Sequence, residues 1–161
     1  MSILPLCMEP HQVLRQPARP VTEFTGDLRR LVRDLIDTMH ANDGIGLAAP
    51  QIGCAVQLFV ASPWRALGKE FAVVNPTLEE PEGQTSTVEG CLSLPNIWDR
   101  VRRAARVRLR GWDVRGEPLA IDAEGLLAIV CQHEVDHLQG RLFIDRLSWL
   151  RRCRLPLVTA R

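Results

Sequence analysis

The stretch Asp122-Ala-Glu-Gly-Leu-Leu-Ala-Ile-Val-Cys-Gln-His-Glu-Val-Asp-His-Leu-Gln-Gly140 decides how this chain folds. Asp122 is a predicted N-cap, and Gly140 lies just past the end of a helix predicted over about 123–138. One face of this helix, at positions 0, 3, 4, 7 and 11, carries Leu126, Ile129, Val130, His133 and His137. Because apolar residues begin this face, we expect it to point toward the interior and to take both imidazoles with it.

Residues 133–137 form an H-E-x-x-H motif within this helix. Residues four apart lie about 40° apart around a helix axis and about 6 Å along it, so His133 and His137 can bind one metal ion. Glu134 lies at the flank of that face, from where its carboxylate can reach a metal-bound water. Histidines that hydrogen-bond within an ordinary core are the alternative, and the inward, capped helix favours the metal site.

A catalytic metal site normally needs a third protein ligand. The downstream candidates fail, because Phe143 occupies the last position of an H-E-x-x-H-x-x-G-x-x-H pattern and no glutamate follows Glu134. Upstream, the segment 89–95 offers Cys91, whose thiolate is a strong ligand and whose neighbour Gly90 permits close approach of the backbone. Cys91 is therefore the leading candidate, and a buried structural cysteine is the alternative.

Length and composition are typical of a single globular domain. The 161 residues are the usual size of one domain, and we predict a single domain over residues 1–161. Twenty basic against nineteen acidic side chains give a net charge of +1, which argues against a dedicated nucleic-acid-binding protein. No apolar run reaches the roughly 18–20 residues of a membrane helix. The five cysteines lack a C-x-x-C pair, so we predict free thiols, most of them buried, in a cytosolic protein.

Helix and strand patterns are segregated along the chain, which predicts the α+β class. We expect mixed or antiparallel β-sheets around the central H-E-x-x-H helix, with an N-terminal helix over 26–40, capped by Thr25, and a short C-terminal helix over 148–154. Strands are predicted, in chain order, over 56–61, 70–75, 83–89, 104–112 and 119–121. The clearest alternation places Val107 and Leu109 on one face and three arginines on the other.

Three motifs together resemble the peptide deformylase family. They are a G-φ-G-φ-A-A-x-Q loop at Gly44–Gln51, an E-G-C-φ-S segment at Glu89–Ser93 and a Q-H-E-φ-D-H helix at Gln132–His137. The resemblance extends over about residues 3–148. It implies an enzyme that removes the formyl group from N-formylmethionine at the start of new bacterial or organellar polypeptides. We therefore expect formylmethionyl nascent peptides as substrates and a cytoplasmic location in a bacterium.

The resemblance also implies roles for individual residues. The implied ligands of one divalent metal ion are Cys91, His133 and His137. Fe²⁺ is the ion implied in the cell, and Zn²⁺, Ni²⁺ or Co²⁺ can occupy the same site. Glu134 is the implied general acid/base for a metal-bound water that attacks the formyl carbonyl. Gln51 and the backbone N–H of Leu92 are the implied donors to the oxyanion.

Further candidates surround these residues. Five are candidates for substrate binding: Gly44, Ile45, Gly46, Ile129 and Val130. The glycines let the substrate backbone approach, and the aliphatic side chains would line a pocket for the methionine side chain, with ordinary core packing as the alternative. Glu89 and Asp136 are candidates to orient the metal ligands or to pair with nearby arginines.

Two features concern the partners of the protein. Many deformylases carry an arginine three residues after the proline of C-φ-S-φ-P, where it contacts the bound peptide, and here that position is Trp98. The C-terminal end is basic, with Asp145 as its one acid and the arginines Arg141, Arg146, Arg151, Arg152, Arg154 and Arg161. In some relatives a C-terminal helix docks on the ribosome, so a ribosome contact is one interpretation and a solvated cationic end is the other.

Two alternative functions stay open at this point. One is a deformylase-like metal amidase or peptidase that acts on another small acyl group. The other is a catalytically silent relative that only binds peptide or ribosome, although intact Glu134, Gln51 and Cys91 argue against it.

Overall fold

The helix that carries the H-E-x-x-H motif spans Gly125–Leu138 in the computed structural model, which describes residues 2–63 and 68–155. We call this helix α2. It begins later than predicted because the preceding strand continues to Glu124, which pairs with Arg106 in the neighbouring strand. Glu124 is thus the N-cap and Asp122 lies within the strand, so the predicted Asp122 cap was wrong. The helix ends at Leu138, as predicted.

Within the described residues, seven strands form two antiparallel sheets. They are β1 (Gly46–Ala48), β2 (Leu58–Ala61), β3 (Phe71–Glu82), β4 (Thr85–Cys91), β5 (Leu94–Arg103), β6 (Arg106–Trp112) and β7 (Pro118–Glu124). The first sheet has the order β1-β2-β3-β6-β7, and the second is the β4–β5 hairpin. With α2 and two further α-helices, these sheets confirm the predicted α+β class.

The other helices lie near the two ends of the chain. Helix α1 spans Gly26–Ala41, and the Thr25 side chain accepts a hydrogen bond from the backbone N–H of Leu28, which confirms the predicted cap. Its apolar face packs against β1 and β2. Helix α3 is the single turn Trp149–Arg152, within the segment predicted as a C-terminal helix. None of the helices in residues 2–63 and 68–155 is both long enough and apolar enough to cross a bilayer.

Two strand predictions missed what the structure shows. β5 was not predicted, because Pro95 and Asn96 follow its first residue, and Asn96 has a positive φ of 64°, a pattern typical of turns. β3 extends well beyond Asn75, because a shift of register between Val74 and Thr77 accommodates a proline inside the strand. The predicted loop 44–51 contains the short strand β1 and the start of a 3₁₀ turn.

The β6 alternation is confirmed. Val107 and Leu109 are buried in the main core. The arginines of the other face form ion pairs with acidic side chains of β3 and β7: Arg106 with Glu82, Arg108 with Asp122 and Glu80, and Arg110 with Glu79. This stripe is therefore a charge-balanced, solvated strand face.

Helix α2 lies against the five-stranded sheet and is buried on most sides. Ala128, Val130, Cys131 and Val135 pack with side chains of β2, β3 and β6 in the main core. The predicted inward face is only partly buried, however, because Leu126 is 49% exposed. The reason is that the first turn of this face borders an open cavity, described below, and not the sheet.

All five cysteines are free, as predicted. The prediction that most of them are buried was wrong, since only Cys131 is buried. Cys153 is exposed because it follows α3, a helix without a buried residue. The others are half-buried, and one of these, Cys91, borders the cavity at the end of β4.

Candidate metal centre and active site

Cys91, His133 and His137 come together where the end of β4 meets α2. One ligand atom from each of the three residues lies within 4.8 Å of the other two. The Cys91 sulfur is 3.2 Å from Nε2 of His137. The helix period places the imidazoles of His133 and His137 on one face of α2. The β4–β5 hairpin places the Cys91 sulfur next to them. A thiolate with two imidazoles is a donor set that fits one Zn²⁺, Fe²⁺, Co²⁺ or Ni²⁺ ion.

Glu89 contacts the His133 ring at Nδ1. Its Oε2 lies 2.9 Å from His133 Nδ1, and its two oxygens each accept a 2.8 Å hydrogen bond from Arg103. Burial on its own would raise the pKa of Glu89, but the hydrogen bonds from Arg103 and His133 outweigh it and lower the pKa to about 2. The carboxylate is thus ionised and fixes the orientation of the imidazole.

The Glu89 carboxylate belongs to a larger buried ionic network. Arg103 also donates a 2.5 Å hydrogen bond to Asp136, which in turn accepts one of 2.6 Å from Arg146. Asp136 does not line the cavity. It pairs with two arginines, which is one of the two roles that the sequence suggested for it. Arg103 was not singled out in the sequence. It shares a strand face with the buried Val101 two residues earlier, but this signal can be used only when β5 is known to be a strand.

The low pKa of Glu89 predicts a specific loss of stability in acid. A carboxyl whose pKa is lowered by folding stabilises the protein above its unfolded pKa of about 4.5, and this contribution is lost as the pH falls toward 2. We expect Glu89 to account for on the order of 2–3 kcal/mol of the free energy of unfolding between those pH values. Urea unfolding at pH 3 and pH 6 should show a smaller pH dependence for Glu89→Gln than for the unmodified protein. The exposed Glu117→Gln is the matched control, and an equal pH dependence in all three proteins would contradict the prediction.

Glu134 points from α2 into the same cavity as the three candidate ligands. Its side chain is buried, and within the described residues Oε2 has no hydrogen-bond partner. Burial raises the pKa of Glu134 to about 7. Gly46 of β1 makes room for the carboxylate, since a Cβ there would lie 2.9 Å from Glu134 Cδ. A carboxyl that changes protonation near neutrality, beside a candidate metal centre, can accept and return a proton.

Gln51 and Leu92 both line the cavity. Gln51 is buried in the 3₁₀ turn Ala49–Ile52, so the alternative of a solvated loop glutamine is excluded. Its Oε1 accepts a hydrogen bond from Ala48 N, which turns Nε2 toward Cys91 Sγ at 3.5 Å and Ser93 Oγ at 3.2 Å. Ser93, which sequence reasoning did not single out, thus helps to hold the Gln51 amide.

The cavity has a volume of about 350 Å³, and His133 and Glu134 are among the residues that line it. All five predicted substrate-binding residues line it: Gly44, Ile45, Gly46, Ile129 and Val130. Its walls include β1 and β4, each of which pairs with a strand on one side only within the described residues. The free edge of such a strand can pair with an extended peptide.

Comparison with known proteins agrees with this geometry. A family model described as polypeptide deformylase matches residues 3–152. This chain belongs to the peptide deformylase family. It is 42% identical over 151 residues to the peptide deformylase of Symbiobacterium thermophilum. The aligned region covers 94% of this chain and 70% of that relative. It is also 42% identical to the enzyme of Thermodesulfovibrio yellowstonii, across 94% of this chain and 93% of that protein.

Solved deformylase structures share the fold. The crystal structure of a peptide deformylase from Legionella pneumophila has a TM-score of 0.91 and 41% identity, and covers 94% of this chain and 90% of its own. A deformylase from Synechococcus elongatus in complex with actinonin has a TM-score of 0.85 and 40% identity, over 90% of this chain and 79% of its own. The predicted membership of the deformylase family is confirmed.

The basic C-terminal end of this deformylase is partly engaged in internal contacts. Arg146 pairs with Asp136, and Arg151 pairs with Asp99 of β5. Arg161 lies outside the described residues. The acid that was counted at this end, Asp145, pairs with Arg15. Arg146 and Arg151 are therefore neutralised by ion pairs within the protein.

Proposed function

We propose that this chain removes the formyl group from N-formylmethionyl peptides of new polypeptides, that residues 1–161 act as one catalytic domain, and that it works in the bacterial cytoplasm. The observation that carries the proposal is the meeting of Cys91, His133 and His137 beside the buried Glu134 in one cavity. Membership of the deformylase family supports the same activity.

Cys91, His133 and His137 would hold one divalent metal ion, with Fe²⁺ proposed in the cell and Zn²⁺, Ni²⁺ or Co²⁺ able to replace it. When bound, such an ion polarises a carbonyl group and lowers the pKa of water. The protein keeps the His133 ring in place through Glu89, whose own position depends on Arg103. The ligand set is thus supported by a rigid, buried network.

Glu134 is proposed to move the proton. It accepts a proton from the attacking water and returns it to the leaving amine of the methionine. Burial raises the pKa of Glu134 to about 7, so both protonation states are accessible at neutral pH. The space above Gly46 lets the carboxylate reach the reacting atoms without a steric conflict with β1.

Gln51 and Leu92 are proposed to stabilise the negative charge that develops on the formyl oxygen. The Gln51 amide is held in place by Ala48 and Ser93, so its Nε2 donor needs little reorganisation. The backbone N–H of Leu92 is proposed as the second donor. Hydrogen-bond donors that are fixed before the reaction stabilise such a charge more effectively than mobile ones.

The methionine side chain is proposed to bind against Ile45, Ile129 and Val130, which line the cavity next to His133. The rest of the peptide would extend between the free edges of β1 and β4. Glycines at 44 and 46 keep the β1 side open to a peptide backbone.

A panel of acylated peptides tests the function. The protein, purified anaerobically with its metal, should hydrolyse formyl-Met-Ala-amide and should leave acetyl-Met-Ala-amide intact. Metal analysis should give about one ion per chain, and Cys91→Ala should lose both the ion and the activity. Hydrolysis of the acetylated peptide at a similar rate would favour an amidase of broader acyl specificity. A metal-loaded protein that cleaves neither peptide would instead indicate a silent, peptide-binding relative.

A ribosome contact through the basic C-terminal end is the proposed partner interaction. Arg152 and Arg154 of this end are exposed in the structure. A salt-sensitive co-sedimentation with ribosomes tests this contact, and a failure to co-sediment at low salt would indicate a solvated cationic end.

A further inference from the structure

Residues 4–9, which we call the N-terminal segment, contact two chain segments that border the proposed active site. The backbone N–H of Cys7 donates a 2.7 Å hydrogen bond to the carbonyl oxygen of Gln51. The backbone N–H of Glu9 donates a 3.0 Å hydrogen bond to the carbonyl oxygen of Ser93. N–H groups two residues apart point to the same side of an extended chain. One side of the N-terminal segment thus holds the 3₁₀ turn of Gln51 and the turn between β4 and β5.

The two residues that accept these hydrogen bonds carry or adjoin the proposed oxyanion donors. Gln51 supplies the side-chain amide, and Ser93 directly follows Leu92, whose backbone N–H is the second proposed donor. Because Gln51 Nε2 also lies 3.2 Å from Ser93 Oγ, a closed ring of hydrogen bonds joins both residues to the N-terminal segment. Such a ring fixes the two donors relative to each other. A displacement of about 1 Å in a catalytic group can lower a rate about 10²-fold.

The N-terminal segment is itself fixed at both ends. At its start, the backbone N–H of Leu4 donates a 2.9 Å hydrogen bond to Oγ1 of Thr38, a buried residue of α1. At its end, the Glu9 carboxylate accepts hydrogen bonds from Nη2 and Nε of Arg15, at 2.9 Å and 3.1 Å. Arg15 also donates a 2.6 Å hydrogen bond to Asp145, in the 3₁₀ turn that follows α2. The segment therefore connects the site to α1 and to the turn after α2.

The N-terminal segment contacts the site from outside the cavity. Within the described residues, none of positions 4–9 lines the cavity that contains Glu134. Among the same residues, its hydrogen bonds to the site end on Gln51 and Ser93, and none ends on a candidate metal ligand. A change in this segment should therefore reach the reaction through the oxyanion donors and leave metal binding intact.

We propose that the N-terminal segment is a positioning element, which holds Gln51 and Leu92 in place for the developing oxyanion through the backbone N–H groups of Cys7 and Glu9. This inference rests on the proposed deformylase function. The negative charge on the formyl oxygen develops only in the transition state, so loss of one of these hydrogen bonds should lower kcat and leave KM nearly unchanged.

Cys7→Pro tests the inference, because proline has no backbone N–H. In the metal-loaded protein we expect kcat for formyl-Met-Ala-amide to fall about tenfold, while KM and metal content change by less than about twofold. Cys7→Ser keeps the N–H and should retain at least about half of kcat. Met8→Pro is the matched control, since the N–H of Met8 makes no hydrogen bond within the described residues. It should also retain at least about half of kcat.

A double-mutant cycle with Gln51→Ala separates a positioning role from a general role in folding. Gln51→Ala removes the donor that Cys7 is proposed to position, so Cys7→Pro should then lower kcat by less than about twofold. A tenfold fall in both backgrounds would overturn the inference, and so would a Cys7→Pro protein with full kcat. A folded Cys7→Pro protein that loses its metal together with its activity would overturn it as well.

Glu9→Ala decides the question if Cys7→Pro does not fold. This change releases the end of the N-terminal segment from Arg15 and leaves every backbone donor in place. We expect kcat to fall about threefold with KM unchanged, and the exposed Glu23→Ala should match the unmodified protein. Equal kcat in Glu9→Ala and Glu23→Ala would overturn the inference and leave the proposed function intact. If the unmodified, metal-loaded protein hydrolyses no formylated peptide, the proposed function itself fails.

Discussion

Replacing Glu134 with glutamine is expected to lower kcat for formyl-Met-Ala-amide by a factor of about 10² to 10⁴ while the metal content stays at about one ion per chain. Glutamine keeps the size of the side chain but cannot accept a proton from the attacking water. The candidate metal ligands remain, because Glu134 is not one of the three residues that come together. Initial rates at saturating peptide, with metal analysis of the same sample, measure both quantities.

The free energy of unfolding of Glu134→Gln should not fall at pH 8. Burial raises the pKa of Glu134 to about 7, so at pH 8 the folded protein carries an unfavourable buried charge that glutamine does not have. Glu124→Gln is the matched control, since Glu124 is the exposed N-cap of the same helix. Full activity in a metal-loaded Glu134→Gln protein would contradict the proposed proton transfer.

Replacing Arg103 with methionine is expected to lower the free energy of unfolding by about 3–5 kcal/mol. The Arg103 side chain is fully buried between Glu89 and Asp136, and its loss leaves two buried carboxylates without their shared cation. The change should also weaken metal retention, because Glu89 then holds His133 less firmly. Urea unfolding measures the stability, and competition with a chelator measures the metal affinity.

Arg102→Met controls for the loss of an arginine. Arg102 is the preceding residue of β5 and points to the opposite, exposed face. Its replacement should change stability by no more than about 0.5 kcal/mol. Adding Glu89→Gln and Asp136→Asn to Arg103→Met should restore part of the lost stability, because the uncompensated charges are removed. A cost for Arg103→Met equal to that of Arg102→Met would show that the network does not stabilise the fold.

The parts of the candidate site that depend on local geometry could be predicted from the sequence. A helix repeats every 3.6 residues, so the spacing of His133 and His137 already placed both on one face. The candidate third ligand, Cys91, was found by excluding downstream residues such as Phe143. The start of helix α2 was harder to predict. Asp122 has the chemistry of an N-cap, but the pairing of β6 with β7 continues to Glu124, so the helix begins only after that residue.

The ionic network around Arg103 could not be predicted in the same way. Arginines are frequent in this part of the chain, and nothing local marks Arg103 as buried once β5 is missed. Its burial depends on the β4–β5 register, which places the Arg103 guanidinium next to Glu89, and on α2, which supplies Asp136. The position of the exposed Trp98 has the same origin, since Trp98 covers Gly90 only because the two residues are paired across the hairpin.

The sequence by itself determined the fold class, the two imidazoles on one helix face and the chemical types of the candidate catalytic groups. These follow from short-range periodicity and from side-chain chemistry, which are properties of neighbouring residues. Only the tertiary structure decided that the Cys91 sulfur lies 3.2 Å from His137, that Glu134 is buried against Gly46, and that one buried arginine joins two carboxylates. Contacts of this kind join residues far apart in the chain, and strand register and packing create them, so no local pattern encodes their distances.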